Sequence, residues 1–160
     1  MDKTLLDQLF SIPAAPNAWF DFKEGISFKL NFVPKAKFRE ISDESLEWAY
    51  DERTKTRQQK LNSKLFQDKF LKVAVSGWRN LTYVSLSKIA EINLDTVVAS
   101  GADINEEIPY SHSMMIRIEQ LAYDLDQFIS QQVCDIRAFR PNLDNELKNS
   151  KSTPSTTSTG

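Results

Sequence analysis

The chain has a single cysteine, Cys134, so no disulfide can form within it. His112 is its only histidine. A structural zinc site draws about four ligands from Cys and His, and this sequence offers two. A hydrolase triad or a thiol–imidazole pair would have to be built around His112. That residue sits in Ser111-His112-Ser113, a helix-start context where a solvated polar residue is ordinary, and nothing in the sequence places a base beside Cys134. The four glycines are too few and too scattered for a glycine-rich phosphate cradle, and no Walker, Rossmann or nucleophile-elbow pattern occurs. No apolar run approaches the ~18 residues of a membrane span. The first residues lack the basic start and long apolar stretch of a secretory leader. Excess charge of either sign is missing too. With 20 basic and 22 acidic side chains, the electrostatic footprint of a nucleic-acid binder is absent. The acidic pairs Asp43-Glu44, Asp51-Glu52 and Glu106-Glu107 are adjacent in sequence, so their side chains diverge and read as solvated surface. These gaps predict no enzyme, no metal and no cofactor, and a reduced cytosolic setting.

What is present is a chain of 160 residues, long enough for one core. Residues 1–16 carry Leu5, Leu6, Leu9 and Phe10 at helical spacing, and Pro13 and Pro16 close the segment. It is either a docking segment or a lid on the core. Residues 17–141 read as one globular domain. Its clearest signal is the alternation of Ile26, Phe28, Leu30 and Phe32 with Ser27, Lys29 and Asn31, the period of a half-buried strand. Trp19-Phe20-Asp21-Phe22 precedes it. A two-residue loop would set Phe22 against Ser27. A three-residue loop, Lys23-Glu24-Gly25, pairs Phe22 with Ile26 and Phe20 with Phe28. It also puts Gly25 at the left-handed position of such a hairpin. A lone hairpin is marginal in water, so this one needs helices or further strands behind it.

Helices are predicted from Lys35 to about Ile41, started by Pro34, with Ser42-Asp43-Glu44 offering a second cap. Another runs over 62–77, capped by Asn62 or Ser63 and ended by Gly77 in a left-handed turn, with Trp78 folding back. A short helix follows over 84–94, then a turn at Gly101-Ala102-Asp103 and an extended Ile108-Pro109. A helix begins at Ser111 or Ser113 and runs to about Ala122. The last helix starts at Asp124 with Leu125, Phe128, Ile129, Val133, Ile136 and Phe139 on one stripe, and Pro141 marks its end. Residues 51–60 hold no apolar side chain. With Arg53, Lys55, Arg57 and Lys60 set against Asp51 and Glu52, they read as a solvated loop or exposed helix extension, not a phosphate patch. Residues 45–60 and 94–110 leave room for further strands. Residues 142–160 form a tail that ends in NSKSTPSTTSTG and is predicted disordered. The fold class is α+β: a mainly helical domain with an N-terminal β-hairpin. Trp19, Trp48 and Trp78 read as core residues first. Trp19, Phe20, Phe22 and Trp78 are the candidates for partner binding.

The order of features, more than any one of them, carries a resemblance. Trp19-Phe20-Asp21-Phe22-x-x-Gly25-Ile26-x-Phe28 is followed by a charged insertion, then by Phe70-Leu71-Lys72-Val73-Ala74-Val75-Ser76-Gly77-Trp78-Arg79-Asn80-Leu81. Next come Glu106-Glu107-Ile108-Pro109-Tyr110-Ser111, Asp124-Leu125-Asp126-Gln127-Phe128-Ile129 and a Ser/Thr tail. Over about residues 17–140 this layout resembles the tail assembly chaperones of long-tailed, lambda-like bacteriophages. The resemblance implies a protein of the host cell cytoplasm that binds the phage tape measure protein, keeps it soluble before the tail tube polymerises, and is absent from the mature virion. It implies the tail tube protein and a second copy of the chain as further partners, and no catalytic residue. Such proteins are often made in a second, longer form by ribosomal frameshifting. Leu147-Lys148-Asn149 can be encoded through the slippery heptamer A-AAA-AAC, and a frameshift there is the expectation. Two alternatives stand beside this one: a structural tail protein retained in the virion, and a small regulatory or nucleic-acid-binding protein.

Overall fold

The computed structural model describes residues 15–141 and the isolated positions Leu5 and Lys148. The N-terminal amphipathic segment (Leu5 apart), the Ser/Thr tail, and Leu147 and Asn149 of the frameshift junction lie outside the described residues. The fold is α+β, with helices outweighing strands. Strands β1 (Asn17–Asp21) and β2 (Ser27–Asn31) form the expected antiparallel hairpin. Phe20 lies opposite Phe28. The Phe22 amide donates to Ile26 O at 2.8 Å and the Ile26 amide to Lys23 O at 3.0 Å, closing the three-residue loop. Glu24 and Gly25 are both left-handed there, at φ 56° and 74°. Residue pairing across the loop therefore follows the aromatics, because the other register would turn Phe20 and Phe22 out to water.

Helix α1 (Lys35–Glu44) begins after Pro34. It runs through Ser42-Asp43-Glu44, where a second cap was expected: the Ser42 hydroxyl bonds back to Phe38 O at 3.0 Å instead of starting a new turn. A second hairpin follows, β3 (Leu46–Asp51) and β4 (Thr56–Leu61), in a two-stranded sheet of its own. Residues 56–61 are thus strand, not loop or helix extension. Helix α2 (Ser63–Ala74) is capped by Asn62, whose Oδ1 accepts from the Leu65 amide at 3.1 Å. α2 ends three residues earlier than predicted. Its last residue passes directly into β5 (Val75–Arg79), which pairs antiparallel with β2 and completes the order β1-β2-β5. Gly77 is paired with Lys29 instead of closing a helix, and Trp78 stands opposite Phe28. The open edge of β2 accounts for the change: Val75 and Trp78 gain a ladder and a buried face that a longer helix would deny them.

Helices α3 (Tyr83–Ile89) and α4 (Leu94–Ala99) replace the single predicted helix; Thr82 and Ser85 form a reciprocal capping box on the first, and Asn93 caps the second. Helix α5 (His112–Leu121) is capped by Ser111 as expected. Helix α6 (Leu125–Val133) starts after a left-handed Asp124 and stops at Cys134, short of the predicted stripe. A 3-10 turn, Ile136–Phe139, continues the chain, with Asp135 bonding the Arg137 amide at 3.0 Å. The break lets Phe139 turn back beneath the first hairpin, where its ring meets Phe20 at 5.0 Å and Phe32 at 6.0 Å. A straight helix would carry that ring away from the sheet.

The core lies between the inner face of β1-β2-β5 and helices α2, α5 and α6. Ile26, Phe28, Leu30, Met115, Leu125, Ile129, Val133 and Phe139 are all fully buried. The Val33 amide donates to Val133 O at 2.8 Å, and Phe22 packs on Phe128 at 5.0 Å, which fixes α6 across the sheet. Helices α2 and α5 meet along a polar seam in which Gln67 bonds Glu119 and Gln120, and Asp68 bonds His112.

Replacing Phe28 by Ala removes a ring buried between two flanking strands and is expected to cost about 3–5 kcal/mol, read from urea unfolding. Burial holds the Glu119 carboxyl above its usual range, against the weaker opposing effect of its bond from Gln67. The folded state therefore holds that proton more tightly than the unfolded one. Ionisation destabilises at neutral pH, and the penalty fades as pH falls through the raised folded-state pKa. Glu119→Gln should accordingly raise the thermal midpoint at pH 7. Its advantage over wild type should shrink in acid, measured by melting curves across pH.

Candidate partner-binding surface

The four sequence candidates for partner binding do not form one surface. Trp78 is buried, and its indole N–H donates to Ile108 O at 2.6 Å. Phe20 and Phe22 face inward and pack against Phe139 and Phe128. Trp19 alone lies on the open face of the sheet, with the Arg79 guanidinium 4.5 Å from its ring centroid. Arg79 thus spans β2 between the two outer strands and covers Ser27, whose hydroxyl donates to Asp21 at 2.6 Å. A cation on an indole face is worth about 0.5–1 kcal/mol at such an exposed site.

The main exposed apolar surface is elsewhere, on the second hairpin. Leu46, Trp48 and Tyr50 alternate along β3, so their side chains share one face. Opposite them on β4 stand Leu61, Gln59 and Arg57. Trp48 is 67% exposed and Tyr50 60%, well beyond Trp19 at 38%. Trp48 is therefore a surface residue, contrary to its reading as core. The other face of the hairpin carries Glu47, Ala49 and Asp51 against Lys60, Gln58 and Thr56. Among the described residues neither strand pairs with a third strand.

Among the described residues the hairpin is held at its base. Ser45, fully buried, ends α1 and donates its hydroxyl to Ile41 O at 2.7 Å. The Asn62 amide donates to Ser45 O at 2.8 Å, and the Asn62 side chain reaches Glu47 at 3.0 Å. Below this clasp α1 and α2 pack through Phe38, Phe66 and Phe70, with ring centroids 5.5–6.0 Å apart. The Glu44–Lys69 ion pair at 2.7 Å spans the same helices. It holds the Glu44 carboxyl below its ordinary range. The sequence signal for this surface was the alternation in Leu46-Glu47-Trp48-Ala49-Tyr50-Asp51.

Potential catalytic groups are dispersed. His112 Nε2 lies 2.8 Å from Asp68, while Nδ1 is buried without a partner. Neither ring nitrogen of His112 is hydrogen-bonded to a hydroxyl or thiol nucleophile. Cys134 ends α6 beside Val33, Lys35 and Phe38, and burial pushes its thiol pKa up, away from reactivity. An open groove of about 680 Å³ between α3 and α4 is lined by Lys88, Glu91, Asn93, Asp95 and Tyr123. There the Tyr123 hydroxyl is spent on Glu91 at 3.0 Å. Among the described residues no three His, Cys, Asp or Glu side chains converge as metal ligands, and no helix is long and apolar enough to cross a membrane. No known protein family, curated protein or solved structure matches the chain.

Because Trp48 and Tyr50 touch little of the body, Trp48→Ala and Tyr50→Ala should each change global stability by no more than about 0.5 kcal/mol in urea unfolding.

Proposed function

We propose that this chain is a binding protein without catalysis, and that it acts as a tail assembly chaperone that holds a phage tape measure protein soluble before the tail tube closes around it. The observation that carries the reading furthest is the β3–β4 hairpin: an aromatic face projected from a core to which it contributes no buried apolar side chain. A tape measure protein presents long apolar helical stripes. Leu46, Trp48, Tyr50 and Leu61 supply an apolar strip about one strand long, ~20 Å, the length of three to four helical turns. Arg57, opposite Tyr50, and Arg53 and Lys55 in the adjoining turn favour an acidic flank on that helix. Support for the phage assignment itself is the order of sequence features from the first hairpin to α6. The open strand edges also suit a second reading, a tail component that adds its hairpin to a neighbour's sheet and stays in the virion.

Co-expression with the tape measure protein is the direct test. The client is expected in the soluble fraction and bound to this chain. Trp48→Ala/Tyr50→Ala should lose at least about tenfold in affinity while remaining folded. A client that stays insoluble beside well-folded wild-type protein would sink the chaperone reading. Recovery of the chain from purified virions would favour the retained component.

A further inference from the structure

We propose that the chain pairs with a second copy of itself through the free edge of β3, antiparallel about Trp48, to give a four-stranded sheet in the order β4-β3-β3-β4. The backbone supplies the edge. The Asn62 amide bonds to Ser45 O across the base, so that pair is of the hydrogen-bonded type. In an antiparallel ladder the types alternate. Glu47, Ala49 and Asp51 therefore turn their backbone groups toward β4. Those of Leu46, Trp48 and Tyr50 point to the open side. The β4 edge is a poorer one, because Thr56-Arg57-Gln58-Gln59-Lys60 has weak sheet preference and carries two cations with no acid.

Charge selects the register. A two-fold pairing keeps like faces together, so β3 can slip only by two-residue steps. One slip sets Glu47 against Glu47 of the other copy, and another sets Glu47 against its Asp51. The register centred on Trp48 avoids both. It places Trp48 on Trp48, Leu46 opposite Tyr50 and Glu47 opposite Ala49, with no like charges opposed in the strand. Each chain enters and leaves its hairpin at one end, through Ser45 and Asn62, so the two-fold sends the bodies to opposite ends of the joined sheet.

A further complementarity follows. Ser45 falls opposite Asp51 of the other copy, so each β3–β4 turn reaches the C-terminal end of α1 in its neighbour. That turn carries Arg53 and Lys55 against one acid, Glu52. The end of α1 carries Asp43 and no base in its last turn, and its other acids, Glu40 and Glu44, are already paired with Lys37 and Lys69. Cations belong at such a carbonyl end. Pairing would join two apolar strips into one continuous face and leave that face open. The inference uses the strand edge where the client reading uses the face, and the two share only the turn cations Arg53 and Lys55.

Ala49 is the test position because it faces away from the aromatic strip and would stand opposite Glu47 of the other copy. Sedimentation equilibrium of the full chain should show a dimer. Ala49→Glu sets two like-charge pairs across the axis and should weaken dimerisation about tenfold or more, whereas Ala49→Lys makes two opposite-charge pairs and should tighten it. Equal effects of the two substitutions, or a wild-type chain that stays monomeric at every concentration, would overturn the proposal. Client binding that survives in a monomeric Ala49→Glu protein would separate the two functions of the hairpin.

Discussion

The junction between Ala74 and Val75 is the constraint on which the rest of the molecule depends. A helix becomes a strand there without an intervening loop, so the axis of α2 and the edge of β2 are fixed together. Three side chains hold the change of direction. Asn31 donates to Val73 O at 2.9 Å, taking up a carbonyl that the helix end leaves free. The Tyr110 hydroxyl donates to Val75 O at 3.1 Å, and burial of that phenol raises its pKa. Trp78 ties β5 to the extended segment at Ile108. A register shift between Lys29 and Leu30 absorbs the mismatch where the strand leaves the helix. With the junction set, β2 is central, its inner residues are sealed, and α6 has a surface to cross.

Local chemistry made the first hairpin and most caps legible. Loop length followed from which residues must share a face, and Asn62 and Ser111 are caps because an oxygen on a short side chain meets free amides. The misses share one physical cause, pairing with distant residues. Val75-Ser76-Gly77-Trp78 reads as a helix end in isolation, and only the open edge of β2, far back in the chain, makes it a strand. Likewise Ile136 and Phe139 continue a helical stripe in sequence, and only the rings of Phe20 and Phe32 explain why the helix breaks. The strand β4 was hidden because it has no buried face and so no apolar alternation. Trp48 was assigned to the core by composition, and its burial depended on whether anything packs on β3.

The two hairpins put the same local structure to opposite use. In the first, a third strand covers the edge of β2 and α6 covers the face, so its aromatics become core. In the second, no described residue covers the edges or the aromatic face, and the clasp at Ser45 and Asn62 holds the base. An unsupported two-stranded sheet is marginal in water. Here the two chain ends are fixed by α1 and α2, whose packing through Phe38, Phe66 and Phe70 removes most of the closure entropy.

That division also bears on what kind of partner the hairpin suits. A permanent interface resembles a core cut in half, and its protomers often lack stability alone. This chain has the reverse design, because none of its buried core side chains comes from β3 or β4. The body can fold before a partner is met and persist after it leaves. The exposed strip is one strand wide and bordered by charge, far smaller than the surfaces of permanent interfaces. On the client reading, width is then the quantity that matters. A single hairpin offers a short strip, whereas two joined through β3 offer twice the strip without consuming any of its face. On the same reading, the length of strip offered to a client would depend on the concentration of the chain itself.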